Sequence, residues 1–597
     1  MYILPKPQKM SATDEVFYLS YDDEIVIDDT CQTEAYTYAC LLQADILEHT
    51  GFELDIRRGK KTRGGICLVR DAKCGAQEYG LTIDEDGIVI RASSKEGMLY
   101  GVQTLRQIVL QQGAAVSHMT IEDYPEMEYR GLYYDVTRCR IPTLDYLKRL
   151  VDKLSYYKIN QLQLYIEHTY MFQNLSEVWR DDTPLTAQDI LELDAYCALR
   201  NVELVPSIAT FGHLYKVLRT KSYRHLCEME ELCDQPFGFV DRMEHHTIDI
   251  SNEESFALVR SLIDEYMPLF RSDKFNICGD ETMDLGKGKG KPLADEIGEE
   301  GMYIRHVKRL CEYLVQKGKT PMFWGDIICR FPEAVRQLPP QTICLNWGYD
   351  ADVDDTNTKK LADVGARIYN CPGVSGWNQF VNRIGASYEN IRRMCAYGHQ
   401  YHVQGILNTD WGDFGHINHP DMGLVGMIYG ACFSWNSKTP SFDEINKEIS
   451  VVEYHDKCGG FVALIADISE LLAYQWSNLT GYREQKEAAW SESKLADMDC
   501  SEKKLLEKKK QLLAYIAKLD GSRKDIMRPY VIAVDGMILL QETGRAFAVK
   551  EGNRQLAEAW EKWFYRYKKE WRRTSRESEL YRVQELIFWT ADRLRSL

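Results

Sequence analysis

From Tyr129 to about residue 440 the chain repeats one pattern: a short apolar segment, a polar loop and an amphipathic helix. A short apolar run bounded by turn residues is typical of a buried strand, and apolar residues at helical spacing are typical of a helix. The pattern occurs about eight times in roughly 300 residues, which is the count and length of an α/β fold of the (β/α)8 TIM barrel type. A doubly wound sheet is the alternative, although no Gly-rich nucleotide fingerprint follows any strand.

The predicted barrel strands are short and follow one another through this region. They are Gly131–Val136, Gln161–Ile166, Glu203–Ser207, Phe275–Cys278, Pro321–Phe323, Thr342–Leu345, Ala366–Tyr369 and Gly405–Leu407.

The segments on either side of the repeat have different patterns. Residues 1–125 alternate strand-like pieces with helices, such as one predicted over Ser94–Gln112, so we expect a small α+β domain before the barrel. Residues 441–597 are helical in pattern and form a predicted C-terminal helical region, which leaves residues 126–440 for the barrel. Three parts agree with the length, because 597 residues are too many for one hydrophobic core.

An aromatic stripe marks one helix of the C-terminal region. It predicts a helix face packed against the barrel, and a homodimer interface is the second interpretation. The stripe consists of Trp560, Trp563, Phe564, Tyr567 and Trp571.

Charge and cysteine usage limit the partners and the compartment. The net charge of -17 disfavours nucleic acid or an anionic membrane as the main partner. No apolar run approaches the length of a membrane helix, and the first residues lack the apolar core of a signal peptide. The 17 cysteines include no Cys-x-x-Cys pair, and many lie in apolar runs, which is typical of buried thiols in a reducing compartment. We therefore expect a cytoplasmic protein.

Asp280 and Glu281 are the strongest candidates for catalysis. They follow the fourth predicted strand, at the end where α/β barrels place their chemistry. Adjacent residues on a straight strand face opposite ways, so both can enter one pocket only if the backbone bends, and Gly279 permits such a bend. Away from a strand end, Asp-Glu is an ordinary surface pair.

Polar and aromatic residues also recur beside the other predicted strands. Ring faces stack on the apolar faces of sugars, while carboxylates and Arg bind hydroxyl groups, so a mouth of this composition suits a sugar. Singly, each residue has an ordinary structural role, such as a core indole or an ion-pair partner. The substrate-binding candidates are Arg130, His213, Trp324, Trp347, Tyr369, Trp377, Trp411 and Asp413.

Neither a metal nor another cofactor is predicted. No His-x-x-x-His or Cys cluster has ligand spacing. The basic, Gly-rich loop Gly286–Pro292 lacks the following Ser/Thr of a phosphate loop, so we expect a mobile segment after the fourth strand.

Five stretches, taken in order, resemble glycoside hydrolase family 20, the β-N-acetylhexosaminidases, over most of the chain. They are Gly97–Leu105, Tyr129–Arg138, Val205–His213, Cys278–Glu281, and the pair Trp324-Gly-Asp and Trp411-Gly-Asp. The chain departs from the family after the second strand, where Tyr165-Ile-Glu-His-Thr replaces a His-x-x-Asp-rich stretch, and at Ser207 and Ala209, where acidic residues are common. These departures suggest a divergent intracellular, bacterial-type branch.

The resemblance implies an exo-acting, retaining enzyme that removes terminal β-linked N-acetylglucosamine or N-acetylgalactosamine from small molecules or oligosaccharides. The substrate's 2-acetamido oxygen would attack the anomeric carbon and give an oxazolinium ion. Asp280 would orient the acetamido group, and Glu281 would act first as acid and then as base.

The resemblance also assigns roles to the binding candidates. Trp324, Trp347 and Trp411 would wall the sugar. Tyr369 would bond the acetamido carbonyl, and Arg130 and Asp413 would bind ring hydroxyls.

Two rival functions stay open. One is a retaining glycosidase of another barrel family with a carboxylate nucleophile, and the other is a non-catalytic sugar-binding barrel. The preferred N-acetylhexosamine is also open.

Overall fold

The computed structural model describes residues 1–60, 63–239, 241–244, 246–484, 492–519 and 525–597. It consists of an N-terminal α+β domain, a parallel eight-stranded barrel and a C-terminal helical region, in the predicted order. Within these ranges no helix is both long and apolar enough to cross a membrane.

The N-terminal domain is a seven-stranded sheet with two helices on one face. Its strands are β1 (Lys9–Tyr18), β2 (Glu24–Ile27), β3 (Asp55–Arg58), β4 (Ile66–Arg70), β5 (Tyr79–Asp84), β6 (Gly87–Ala92) and β7 (Ala115–Asp123), in the order β1-β7-β5-β6-β4-β2-β3. The helices are α1 (Ala35–Thr50) and α2 (Lys95–Gln112). The predicted helix is confirmed, and the Ser94 side chain caps it by accepting a hydrogen bond from the Gly97 N–H.

The barrel strands pair in parallel around a ring. They are β8 (Tyr129–Asp135), β9 (Gln161–Tyr165), β10 (Glu203–Val205), β11 (Lys274–Asn276), β12 (Thr320–Trp324), β13 (Ile343–Trp347), β14 (Arg367–Cys371) and β15 (Gly405–Asp410), in the order β10-β9-β8-β15-β14-β13-β12-β11. The ends of this row meet where Ser207 bridges Asn276, because the Asn276 N–H donates to the Pro206 carbonyl and the Ile208 N–H to the Asn276 carbonyl. This closure confirms the TIM barrel over a doubly wound sheet.

Helices follow the strands and cover the barrel. They are α3 (Leu144–Tyr156), α4 (Ser176–Trp179), α5 (Ala187–Ala198), α6 (Tyr215–Leu218), α7 (Asp241–Glu244), α8 (Glu253–Tyr266), α9 (Lys291–Gln316), α10 (Thr356–Asp363), α11 (Ile384–Gln400) and α12 (Leu424–Trp435). The loop before α9, which its composition predicted to be mobile, is instead hydrogen-bonded to another part of the barrel domain. The Gly288 and Gly290 N–H groups both donate to the Glu228 carboxylate at 2.9 Å, which ties the loop to the rest of the barrel.

In the described part of the C-terminal region, seven α-helices pack beside the barrel. They are α13 (Phe442–Val452), α14 (Phe461–Ser469), α15 (Trp476–Glu484), α16 (Leu495–Tyr515), α17 (Met527–Val549), α18 (Arg554–Thr574) and α19 (Leu580–Ser596).

The aromatic stripe on α18 is buried inside the chain. The Trp560 indole N–H donates to Thr543 on α17, and the Tyr567 hydroxyl donates to the Ile417 carbonyl in the barrel domain. The face therefore serves as core between the C-terminal region and the barrel, and it is not free to form a dimer.

Candidate active site

A sharp turn after β11 brings Asp280 and Glu281 to one pocket. Three residues of this turn have left-handed backbone, with φ of 55° at Cys278, 86° at Gly279 and 45° at Glu281. A left-handed non-glycine residue costs free energy and persists only where its surroundings hold it. The bend that Gly279 predicted is present, and it turns both carboxylates toward the mouth of the barrel.

His213 lies between the two carboxylates. Its Nε2 is 3.4 Å from Asp280 Oδ2 and 3.3 Å from Glu281 Oε2. Burial alone would lower the pKa of His213, but the two carboxylates outweigh it and raise that pKa to about 10. Burial likewise favours a higher pKa for Glu281, yet His213 and Arg138 together hold the pKa of Glu281 below its ordinary value. The unliganded site therefore stores its proton on the imidazole.

Asp326 supports the turn from the next strand end. Its Oδ2 accepts a hydrogen bond of 3.3 Å from the Glu281 N–H. Burial, followed by the negative charge of Asp280, raises the pKa of Asp326 to about 7. Asp326 is the acid of the Trp324-Gly-Asp stretch, so that motif contributes a contact to the catalytic turn.

Aromatic rings wall the pocket in front of the carboxylates. Trp347 and Tyr349 stack with ring centroids 5.1 Å apart, and Trp377 meets the edge of Tyr349 at the same distance. The Trp411 indole N–H donates to the Tyr349 hydroxyl at 2.8 Å. The cavity has a volume of about 170 Å³, room for roughly ten water molecules, which suits one sugar ring better than an extended chain.

Arg138 supplies the positive charge of the pocket. It lies 3.0 Å from Asp135 Oδ2 and 3.2 Å from Asp413 Oδ1, and its guanidinium lies about 5 Å from the ring centres of Tyr165 and Trp411. Asp135 also accepts a hydrogen bond from the Gly412 N–H, so this carboxylate bonds the barrel's own backbone. Held on several sides, the guanidinium has a fixed orientation toward the cavity.

Arg130 does not lie in the pocket, which corrects the sequence prediction. It is the second residue of β8 and therefore sits at the amino end of the barrel, opposite the mouth. Its guanidinium donates to the carbonyls of Met127, Glu128 and Lys158 and to the Tyr100 hydroxyl. Arg130 thus joins the barrel to the N-terminal domain.

Tyr369 is the second correction. It is the middle residue of β14 and pairs in register with Gly405, the first residue of β15. Its ring is buried and stacks on Tyr129, again at the amino end. The tyrosine that lines the pocket is Tyr349, two residues past the end of β13.

Four of the other candidates line the cavity, whereas Trp324, which was predicted to wall the sugar, does not. Trp347, Trp377, Trp411 and Asp413 line the cavity together with Asp280 and Glu281. Trp324 is fully buried one layer deeper, against Tyr133 and Trp411.

Sequence reasoning missed Arg138 and Tyr349 as pocket residues. Both follow a strand's carboxyl end by two or three residues, so strand ends placed correctly would have identified them.

Two groups in the described part of the chain bring three possible metal ligands together, but both contain cationic side chains. His213, Asp280 and Glu281 form one group, in which the imidazole already pairs with the carboxylates. In the other, Lys216 Nζ lies 3.0 Å from Asp182 and 3.2 Å from Glu579, so an ammonium supplies the charge that a metal would. The geometry of both groups is that of an ion-pair network.

Gly212 lets the loop before His213 approach the catalytic turn. A Cβ at this position would lie 2.6 Å from the Asp280 carbonyl oxygen and 3.2 Å from that of Glu281. We expect Gly212→Ala to lower kcat/KM roughly tenfold to a hundredfold, because displacing a catalytic group by about 1 Å has an effect of that order. Steady-state kinetics with an aryl glycoside test this. The control is Gly385→Ala, whose added Cβ meets nothing nearer than 3.9 Å; equal activity of the two variants would contradict the prediction.

The stability of the site should depend on pH through His213. Because its pKa rises from 6.5 to about 10 on folding, the folded protein binds this proton more tightly than the unfolded chain does. The stabilisation is complete below about pH 6.5 and is lost as pH rises through about 10. We expect the Tm of the wild type to fall over that interval more steeply than the Tm of His213→Gln. If the Tm of the two proteins falls in parallel as pH rises, folding does not raise the pKa of His213.

Comparison with known proteins matches two family models to the chain. A family model described as glycosyl hydrolase family 20, domain 2, matches residues 1–124, and one described as glycosyl hydrolase family 20, catalytic domain, matches residues 127–379. Together they cover more than half of the chain.

Individual relatives are distant. The chain is 27% identical over 283 residues to a beta-hexosaminidase of Akkermansia muciniphila, in an alignment of 42% of this chain and 55% of that protein. It is 24% identical over 403 residues to a beta-N-acetylhexosaminidase of Cellulomonas fimi, covering 62% and 73% of the two. The match thus spans little more than half of the first relative's length.

A solved structure supports the same fold. The family 20 beta-N-acetylhexosaminidase of Streptomyces coelicolor A3(2) superposes with a TM-score of 0.62 at 21% identity, over 78% of this chain and 96% of that one. With both of its domains matched in order by models of one family, the chain belongs to glycosyl hydrolase family 20.

Proposed function

We propose that the protein is an exo-acting, retaining β-N-acetylhexosaminidase that releases terminal β-linked N-acetylglucosamine or N-acetylgalactosamine. The observation that carries the proposal is the placement of Asp280 and Glu281 on one turn, both within 3.4 Å of His213 Nε2, at the base of an aromatic-walled pocket. Relatives named beta-hexosaminidase support the same activity.

The arrangement of the carboxylates favours a nucleophile that belongs to the substrate. One oxygen of Asp280 and one of Glu281 lie within 4.8 Å of each other, on adjacent residues of a single turn. An enzyme with a carboxylate nucleophile has its two carboxyl groups flanking the scissile bond, an arrangement that two adjacent residues of one turn do not readily provide. Two groups that reach the sugar from one side can instead serve an acetamido nucleophile and a leaving group in turn.

In the first step the acetamido oxygen forms a bond to the anomeric carbon as the bond from that carbon to the leaving oxygen breaks. Glu281 gives its proton to the leaving oxygen, while Asp280 accepts a hydrogen bond from the acetamido N–H and balances its developing positive charge. In the second step Glu281 takes a proton from water, whose oxygen attacks the anomeric carbon and opens the oxazolinium ring.

Glu281 must be protonated for the first step, although His213 holds its pKa down in the unliganded site. A bound sugar removes water from around Glu281, and this desolvation favours the neutral acid. His213 Nε2 lies 3.3 Å from Glu281 Oε2, so we infer that the imidazole supplies this proton directly.

The pocket residues have matching roles. Arg138 and Asp413 bind ring hydroxyls at one end, and the indoles of Trp347, Trp377 and Trp411 pack on the ring and its acetamido methyl group. The small, walled cavity admits a single terminal residue, which supports exo action.

Tyr349 is the residue we assign to the acetamido carbonyl. Its hydroxyl accepts the Trp411 indole N–H at 2.8 Å, a bond that does not use the hydroxyl's own proton. We expect Tyr349→Phe to lower kcat/KM roughly tenfold to a hundredfold, because the lost donor stabilises charge that develops in the transition state. The variant should lose affinity for a thiazoline inhibitor, a mimic of the cyclic intermediate, by a similar factor. Unchanged thiazoline affinity would remove Tyr349 from this role.

Turnover of paired aryl N-acetyl-β-glucosaminide and N-acetyl-β-galactosaminide tests the function directly. Hydrolysis of either one, with retention of configuration and competitive inhibition by a thiazoline, is the expected result. Cleavage of β-glucosides alone, with a trapped covalent adduct, would establish a carboxylate nucleophile. Tight sugar binding without turnover would establish a binding protein.

We also propose a cytoplasmic location, because most of the 17 cysteines are buried thiols, which is typical of a reducing compartment. Fractionation of the native host tests this, and recovery of the protein outside the cytoplasm would overturn it.

A further inference from the structure

The C-terminal region reaches the backbone that follows Arg138. Cys139, the next residue, has a left-handed φ of 67°. Its carbonyl accepts hydrogen bonds from the Ser578 hydroxyl at 2.9 Å and the Glu579 N–H at 3.2 Å. Two residues later, the Ile141 carbonyl accepts the Arg576 N–H at 2.8 Å. The donors all lie in the connection between α18 and α19, so this connection holds an unfavourable backbone conformation beside the pocket.

Arg140 strengthens the same junction. Its guanidinium lies 3.7 Å from the ring centre of Trp571 and donates to the Tyr567 hydroxyl at 2.9 Å, both on α18. It also donates to the His416 carbonyl, in the loop after β15. That loop carries Asp413, and the loop after β8 carries Arg138. Arg140 is buried and therefore fixes against α18 both loops that supply the charged residues of the pocket.

Glu579 reaches the pocket by a second route, through side chains. It is buried and lies 3.2 Å from Lys216 and 3.6 Å from Arg242. Arg242 pairs with Glu167 at 3.0 Å, and Glu167 accepts the Tyr165 hydroxyl at 2.9 Å. The ring of Tyr165 is one of the two that flank the Arg138 guanidinium. The chain of contacts therefore ends on the side chain proposed to bind the sugar.

We propose that the α18–α19 connection, residues 575–579, is a positioning element for Arg138, with Ser578 and Glu579 as its positioning residues. The inference rests on the proposed function, since it concerns the residue assigned there to the ring hydroxyls. The connection lies outside both family-model matches, which cover residues 1–124 and 127–379. A long side chain binds hydroxyls well only when its position is fixed. The C-terminal region fixes Arg138 through the Cys139 carbonyl and through the side-chain contacts of Glu579.

The test compares Ser578→Ala and Glu579→Gln with the control Thr543→Val. Thr543 is as buried and lies in the same region, and among the described residues its side chain bonds to the Leu539 carbonyl on α17 and to Trp560. We expect both test variants to raise KM for the aryl N-acetylhexosaminide several-fold, whereas the control loses Tm and keeps its KM. Ser578→Ala removes a single hydroxyl, so the test survives if Glu579→Gln fails to fold.

A double-mutant cycle separates positioning from general damage. If Ser578 acts through Arg138, then Ser578→Ala should cause no further loss of kcat/KM in an Arg138→Lys background. Additive losses, with active wild type, would overturn the inference and leave the proposed function intact.

Hydrogen exchange supplies a readout that needs no activity. Both test variants should speed amide exchange across residues 136–142, and Thr543→Val should not. If the wild type turns over no N-acetylhexosaminide, the proposed function fails, and exchange alone decides whether the connection holds this loop. Unchanged exchange in residues 136–142 would overturn the inference.

Discussion

Glu281→Gln should lower kcat/KM for a substrate with a poor leaving group by roughly 10²–10⁴-fold, the usual contribution of a general acid. An activated aryl glycoside should lose about tenfold or less, because its leaving oxygen departs without a proton. The ratio kcat/KM reports the first bond-breaking step, so the comparison isolates acid catalysis from the later attack of water. Glutamine keeps the shape of the side chain and its contact with His213, so the fold of the site should persist.

The base role of Glu281 has its own signature. In Glu281→Gln the turnover of the activated substrate should be limited by attack of water, and azide, which needs no deprotonation, should raise it. Glu299→Gln, an exposed change on α9, is the matched control and should change neither rate. Equal losses on the two leaving groups would remove Glu281 from the acid role and point to Asp326 or His213 as the proton donor.

The architecture could be predicted from the sequence because each barrel strand is a local signal. All eight predicted strands overlap observed ones, and the turn after Asn276 followed from Gly279. Errors arose at strand ends, where a shift of a few residues decides whether a side chain lies at the mouth or at the amino end of the barrel. Placing the end of a strand at Tyr369, when β14 continues to Cys371, moved that residue to the wrong end of the barrel.

The remaining features depend on contacts between distant segments, which no local pattern encodes. His213 precedes Asp280 by 67 positions, and only barrel closure between β10 and β11 brings them together. The link from Glu579 through Arg242 to Glu167 joins residues more than 400 positions apart. A buried charge is tolerated only when its partners are present, and here the fold brings those partners together from distant segments. The network therefore could not be predicted from the sequence.

Arg138→Lys and Arg130→Lys form a matched pair that separates the two arginines by function. Both side chains are buried, with 5% and 1% exposure, and both variants keep the positive charge. Arg138→Lys should lower kcat/KM roughly 30-fold to a hundredfold, because lysine cannot reproduce the planar fork that bonds two groups at once. Its Tm should fall modestly, since the ammonium can still pair with Asp135 and Asp413.

Arg130→Lys should show the reverse pattern. Arg130 donates to several carbonyls at the junction with the N-terminal domain, and lysine leaves some of them unpaired. Each lost bond to a buried acceptor costs about 1–3 kcal/mol, so unfolding should occur at clearly lower temperature or urea concentration. The folded fraction should keep kcat/KM within about threefold of the wild type, because no contact of Arg130 reaches the pocket. Thermal denaturation and steady-state kinetics on the same preparations test whether Arg130→Lys lowers stability without lowering kcat/KM. A large kinetic loss in Arg130→Lys at normal stability would return the sugar contact to the amino end, against the position of Arg130 at the start of β8 and of Arg138 beyond its carboxyl end.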